Sequence, residues 1–369
     1  MSPEGRLHFY LEGGASGLSV RLDSERPVDA CRVFEGKPVA DVLEMMPLLF
    51  NICGQAQSVT AIRAIESARQ TPAAVAVERQ RDILVALESL REHLWRFLIS
   101  WPALCGLAPQ TDKLAGIHQR MMALQTALNP GRCLTTKPGL EQTPLTGDAL
   151  LQDWQTVNSA IGSVIKTGAG GDHAETFPWL WPLTDPVGFN TGELSMKALP
   201  ELAEDRLAQA FASQEDFAAR PQLDGEVFET GPWARQRNHP ALTRVKEQYG
   251  LGIYTRLVAR LVEIAGLQAQ VTQILQGEQT ETGQRAGLGI AQLEAVRGRL
   301  IHAVGLDGDR ISRYRILAPT EWNFHPQGIA MRLLASLDTG PGLKNRAEWV
   351  IQAIDPCVGY DIHLDEALC

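Results

Sequence analysis

Asp355-Pro356-Cys357-Val358-Gly359-Tyr360-Asp361-Ile362-His363 reads DPCVGYDIH and brings a thiol, an imidazole and carboxylates together just before the last residue, Cys369. Thiolates and imidazoles are metal donors. Their crowding here points to a metal site closed by the C-terminal segment.

Working outward, the 369 residues are 44% hydrophobic and 21% charged, ordinary for a globular protein with a substantial core. The net charge is -9 and no long basic run occurs, which argues against nucleic acid as a partner. No stretch approaches the ~18 apolar residues of a membrane span. The first residues, MSPEGRLHFYLEGG, lack the basic and apolar regions of a secretory signal. Six cysteines (31, 53, 105, 133, 357, 369) lie far apart, so reduced thiols and the cytoplasm are expected.

Residues 5–22 read as a hairpin around Gly13-Gly14, and 26–37 as loop plus a short strand. Helical spacing begins at Val39 and breaks near Cys53-Gly54. Helices are expected over 71–100, with Pro72 in the first turn, and over 113–128, ended by Asn129-Pro130-Gly131. Residues 129–147 form a Pro/Gly/Thr-rich connection, and 167–192 a second loop anchored by Trp179 and Trp181. Residues 202–220 look helical. A long helix runs from Pro240 to Gln276, interrupted or kinked near Gly250-Gly252 and Gly266. Residues 300–317 alternate around Asp307-Gly308-Asp309 as a second hairpin. The expected class is α+β, α-dominated: a central helical bundle with N- and C-terminal β pieces packed together. One domain spans 1–369, with Cys53 in segment 1–66, a helical middle at 70–280, and Cys357 in segment 290–369.

Several blocks resemble the large subunit of [NiFe] hydrogenases. DPCVGYDIH is similar to that family's terminal DPCxxCxxH. RVFEG (32–36) and NICGQAQSVTAIRAIE (51–66) resemble FEGFLRGR…RICGVC…HALE. ETGPWARQR (229–237) resembles E-x-G-P-L-A-R, followed by GIYTRLVARLVEIA (252–265). EAVRGRLIH (294–302) resembles EAPRGxLGH, and APTEWNFHPQ (318–327) resembles A/V-P-T-x-W-N-x-S-P-R. Their order and rough spacing agree, and the match is poorest at 70–220. The family's fold is therefore expected.

In that family four thiolates hold a nickel–iron pair, and iron carries two cyanides and one carbon monoxide. The resemblance puts Cys53 and Cys357 at the first cysteine of each CxxC. The second positions, which bridge the metals, are Ala56 and Tyr360, and the arginine before the first motif is Asn51. Arg297, Pro319 and Thr320 match the cage around the diatomics. Glu35 and His363 match a magnesium-type site. Glu4 matches a proton-relay glutamate, though this chain reads EGR where the family has EGH. Only LDEALC follows His363, little for a maturation protease to remove. Cys31, Cys105, Cys133 and Cys369 read as ordinary thiols, and His302 and His325 as structural. GAGGD (168–172) lacks the residues of a phosphate loop.

Loss of both bridging thiolates with retention of the cage resembles the hydrogenase expression/formation proteins of the HupK/HoxV type, non-catalytic homologues of the large subunit. The resemblance implies a scaffold that transiently holds an Fe(CN)2(CO) unit on Cys53 and Cys357, without nickel. It implies as partners the complex that assembles the unit and the apo large subunit. Two other readings stand beside it: a divergent nickel-dependent hydrogenase, and a metal-free protein-binding chaperone.

Overall fold

A computed structural model describes residues 5–14, 17–50, 52–142, 148–165, 196–277 and 288–365. Glu4, Asn51, Trp179, Trp181, Cys369 and the GAGGD stretch lie outside the described residues.

The first hairpin forms as expected. Strand β1 (Arg6–Gly14) pairs antiparallel with β2 (Gly17–Ser24) and turns between Gly14 and Gly17. On its other side β1 pairs parallel with β6 (Gly359–Leu364), from Arg6 opposite Gly359 to Leu11 opposite Leu364. The sheet order β2-β1-β6 thus joins the two ends of the chain. Leu7, Phe9 and Leu11 alternate inward and are essentially fully buried.

Residues 26–37 differ from expectation. The segment holds a five-residue 3-10 helix, Ala30–Phe34, not a strand. Cys31 and Phe34, three apart, fall on one side of so tight a helix, and both are buried. Helix α1 (Val39–Leu49) follows, and α2 (Gly54–Arg69) starts after the expected break. Helix α3 (Val75–Trp95) begins later than expected, leaving Pro72 outside it. It then widens into a π turn, Arg96–Ser100. Buried Arg81 of α3 clamps Glu66 of α2 through Nη1 (2.7 Å) and Nη2 (2.9 Å). Helices α4 (Thr111–Leu128) and α5 (Asp148–Val164) pack beside them. The 202–220 stretch is helical only over Glu204–Ser213.

The long helix breaks at Gly250 as expected, into Pro240–Tyr249 and α6 (Ile253–Leu275). It runs unbroken through Gly266, because one glycine costs a helix only about 1 kcal/mol and packing on both flanks offsets that. The second hairpin is as expected. Strands β3 (Ile290–Ala295), β4 (Gly298–Asp307) and β5 (Arg310–Leu317) make an antiparallel sheet. Short helices α7 (Pro319–Asn323) and α8 (Ile329–Ala335) and the longer α9 (Leu343–Ile354) lead back to β6.

Two cores result. The larger joins the helical middle to β1 and to α7, α8 and α9. The smaller lies between α1, α2 and the second sheet. Cys357 packs on the first and Cys53 on the second. Among the described residues no helix is long and apolar enough to cross a membrane.

Candidate metal-fragment site

Cys53 occupies the residue before α2, where the first turn leaves backbone N–H groups unpaired. Glu88 of α3 takes two of them, from Gln55 (2.7 Å) and Ala56 (3.0 Å), and so fixes the turn that carries Cys53. Burial pushes the Glu88 carboxyl up to about 7, although the two amides pull it back. Behind Cys53 lies a buried chain of polar groups. Gln57 Nε2 donates to Cys53 Sγ at 3.8 Å, and Gln57 Oε1 lies 2.8 Å from His302 Nε2. An amide oxygen only accepts, so His302 Nε2 carries the proton and Nδ1 accepts from the Tyr314 hydroxyl, 2.8 Å away. Burial lowers His302 to about 3, so the ring stays neutral. Burial, with Cys357 and Glu88 nearby, pushes the Cys53 thiol up to about 12.

Cys357 stands in the turn between α9 and β6. Asp355 there adopts a left-handed backbone, with φ 69°. Cys357 Sγ accepts from Arg26 Nη1 at 2.8 Å and lies 3.2 Å from the Thr320 hydroxyl. Arg26 Nε donates in turn to Glu321 Oε1 at 2.8 Å. Thr320 and Glu321 belong to the first turn of α7, opened by Pro319.

Arg297 is held between the two cysteines' elements. Its Nη2 lies 3.3 Å from both Glu92 Oε2 and Asp355 Oδ1. Asp355 also receives Arg96 at 2.6 Å and Arg260 at 3.3 Å. Burial opposes ionisation of Asp355, but Arg297, Arg96 and Arg260 hold it well below the usual carboxylate range. Arg297 is 4% exposed, and its Nε and Nη1 have no hydrogen-bond partner among the described residues. The backbone beneath it explains two motifs. A Cβ on Gly231 would meet the Arg297 carbonyl oxygen at 2.9 Å, and one on Gly298 would meet the Thr230 side chain at 2.5 Å. Asn323 Nδ2 ties both strips, donating to the Thr230 carbonyl (3.0 Å) and the Arg297 carbonyl (3.4 Å). ETGP, VRG and the Asn of PTEWN are therefore one interlock that sets Arg297 in place.

These groups meet in a cavity of about 460 Å³, lined by Arg26, Cys53, Arg297, Pro319, Glu321 and Cys357 among mostly apolar walls. Four of the seven residues expected at the site, Cys53, Cys357, Arg297 and Pro319, line it directly. Thr320 enters through Cys357. The two positions where the enzymes have bridging cysteines face elsewhere. Ala56 is fully buried in the smaller core. The Tyr360 hydroxyl accepts from Gln352 Nε2 at 2.7 Å, and its ring meets Phe9 edge-on at 6.4 Å. Neither lines the cavity.

Glu35 and His363 are not brought together. Glu35 accepts from the Tyr314 amide (3.2 Å) and Arg315 Nη1 (2.7 Å), on the second sheet. His363 stacks on Tyr10 at 4.6 Å, on the first. An arginine already neutralises the carboxylate that was expected to meet a cation. His302 is more than a core filler, since its chain ends on Cys53. Cys31 also lines the cavity, but its S–H donates to the Val28 and Tyr314 carbonyls. Arg26, Glu321, Gln57 and Glu88 were missed at the sequence level. Glu321, after the Pro-Thr pair, and Gln57, inside the 51–66 block, carried a signal; Arg26 and Glu88 lie in no motif. Among the described residues no three His, Cys, Asp or Glu converge as a metal site.

This fold and this cavity define a hydrogenase large-subunit-like chain. The Ni-Fe-Se hydrogenase from D. vulgaris Hildenborough superposes with a TM-score of 0.65, 14% identity, and 92% of this chain and 94% of that chain covered. No family model matches. The hydrogenase expression/formation protein HupK of Bradyrhizobium diazoefficiens is 30% identical, covering 96% of this chain and 95% of that protein. The hydrogenase expression/formation protein HoxV of Cupriavidus necator is also 30% identical, covering 99% and 96%. The chain belongs to the HupK/HoxV family of hydrogenase expression/formation proteins and has the fold of a hydrogenase large subunit.

Proposed function

We propose that this chain is a non-catalytic accessory protein of hydrogenase maturation. It takes an Fe(CN)2(CO) unit as cargo from an assembly complex, holds it on Cys53 and Cys357, and passes it to the apo large subunit. The observation that carries the reading is Arg297: a buried guanidinium with two unpartnered nitrogens in the same cavity as both cysteines. A buried donor left unpaired costs about 1–3 kcal/mol or more, and a cyanide nitrogen is an anionic acceptor that removes that cost. Soft thiolates suit low-spin iron. The apolar walls keep water from the iron's ligands. The Thr320 hydroxyl and Arg26 hold Cys357 ready, and Gln57 does the same for Cys53.

The relatives' names, expression/formation proteins, support an accessory role over catalysis. Ala56 and Tyr360 support a single metal over a nickel–iron pair, since neither offers a bridging sulfur. Glu35 and His363 have no part in this reading. The deciding experiment is infrared spectroscopy of protein purified anaerobically from its own host. Metal-bound CO and cyanide bands are expected, with nickel substoichiometric. Their absence from protein that still binds its hydrogenase partner would replace this reading with a metal-free chaperone.

A further inference from the structure

Arg26 belongs to none of the motifs that define the family resemblance, yet it makes the shortest contact to either cysteine sulfur. Its guanidinium lies between Cys357 Sγ and Glu321 Oε1, 2.8 Å from each, and lines the cavity. A guanidinium has only protons to offer, so the sulfur is the acceptor. A guanidinium is cationic throughout the physiological pH range. One further observation fits a ligand with negative atoms: Arg297, whose Nε and Nη1 have no hydrogen-bond partner among the described residues, lines the same cavity.

We infer that Arg26, anchored by Glu321, makes this cavity refuse a bare divalent cation and accept only a metal fragment that arrives with its own anions. The inference rests on the cargo reading above and deepens it. A bare zinc, nickel or cobalt ion brings two positive charges to a sulfur already faced by a fixed cation. An iron(II) carrying two cyanides and a CO is neutral as a unit and meets no such repulsion. Its cyanide nitrogens also accept from a guanidinium. A two-cysteine pocket without this guard would be open to any thiophilic metal ion of the cell, which would block it for cargo.

The test uses the full-length metal-free protein and cobalt(II) alone, whose thiolate charge-transfer absorption reports ligation by sulfur. Wild type is expected to bind weakly. Arg26→Gln and Arg26→Met should each bind at least about 10-fold tighter, the order expected from removing a like charge within a few ångströms of the bound ion. Arg26→Lys, which keeps the cation, should stay near wild type. The gain in Arg26→Gln should vanish when Cys357→Ser is added. Wild type binding cobalt as tightly as both neutral variants would overturn the inference. So would tightening by the lysine variant, or a gain that survives Cys357→Ser. These outcomes are separate from the infrared result: missing CO and cyanide bands would sink the cargo reading while leaving the cobalt comparison intact.

Discussion

Cys357 is met by a guanidinium and a hydroxyl, whereas Cys53 is met by one amide and a neutral histidine behind it. Cys53→Ser and Cys357→Ser should both fold, because each is a small change beside a cavity. Both should lose the CO and cyanide bands, since a hydroxyl does not replace a thiolate on low-spin iron. Arg297→Ala should weaken retention instead of abolishing it, because it removes a donor to the cargo's ligands and no metal ligand; band intensity after gel filtration measures this. Asp355 is a different case. Asp355→Asn leaves Arg96, Arg260 and Arg297 converging on a neutral group, and loss of one partner from a buried ionic cluster costs about 3–5 kcal/mol. Urea denaturation should show that loss at neutral pH. It should shrink progressively as pH falls from the unfolded aspartate's value of about 3.9 toward the depressed native pKa, through which the contribution is lost.

At the scale of elements, the start of α2 depends on Glu88. Burial raises the carboxyl from its ordinary value near 4.5 to about 7 in the fold, so between those values the folded state keeps a proton that the unfolded state has lost. Stability therefore falls as pH rises across that window. Glu88→Gln has no such titration. The variant's urea midpoint relative to wild type should move in its favour from pH 5 to pH 8, whatever fixed cost the lost charge imposes. A flat difference would show that Glu88 does not bury its charge. The sequence disclosed elements wherever periodicity was long: α3, α4, both hairpins and the break before α2. It misled at 26–37, where a buried Cys31/Phe34 pair suits a 3-10 turn as well as a strand. The candidate site was legible only where a motif names a residue. Cys53, Cys357, Arg297 and Pro319 could be read that way. Arg26 and Glu88 act across more than 30 positions of chain with no local pattern, and only the fold reveals them. Glu35 and His363 were read from motif position alone, and Arg315 and Tyr10 take them instead.

At the scale of the molecule, the N-terminal hairpin is joined to the C-terminal segment through β6, a strand the alternation did not mark, while the 300–317 hairpin lies in the other sheet; Phe9 is the pin. It is fully buried on β1 and touches Phe324 at 6.0 Å and Tyr360 at 6.4 Å. Phe9→Ala should cost about 3–5 kcal/mol by thermal or urea denaturation. Because β1 carries β6, the same change should also raise the alkylation rate of Cys357 more than that of Cys53. Equal effects on both thiols would mean that the sheet does not hold the C-terminal turn.

The parallel pairing of β1 with β6 also sets a schedule. Strand β1 leaves the ribosome well before its neighbour at 359–364, which follows more than 300 residues later. A contact of such long sequence separation closes late in folding. Until then Cys53 has no Cys357 across from it. On the cargo reading proposed above, a half-made chain would therefore hold no iron unit, and nascent chains would not compete for it with finished copies.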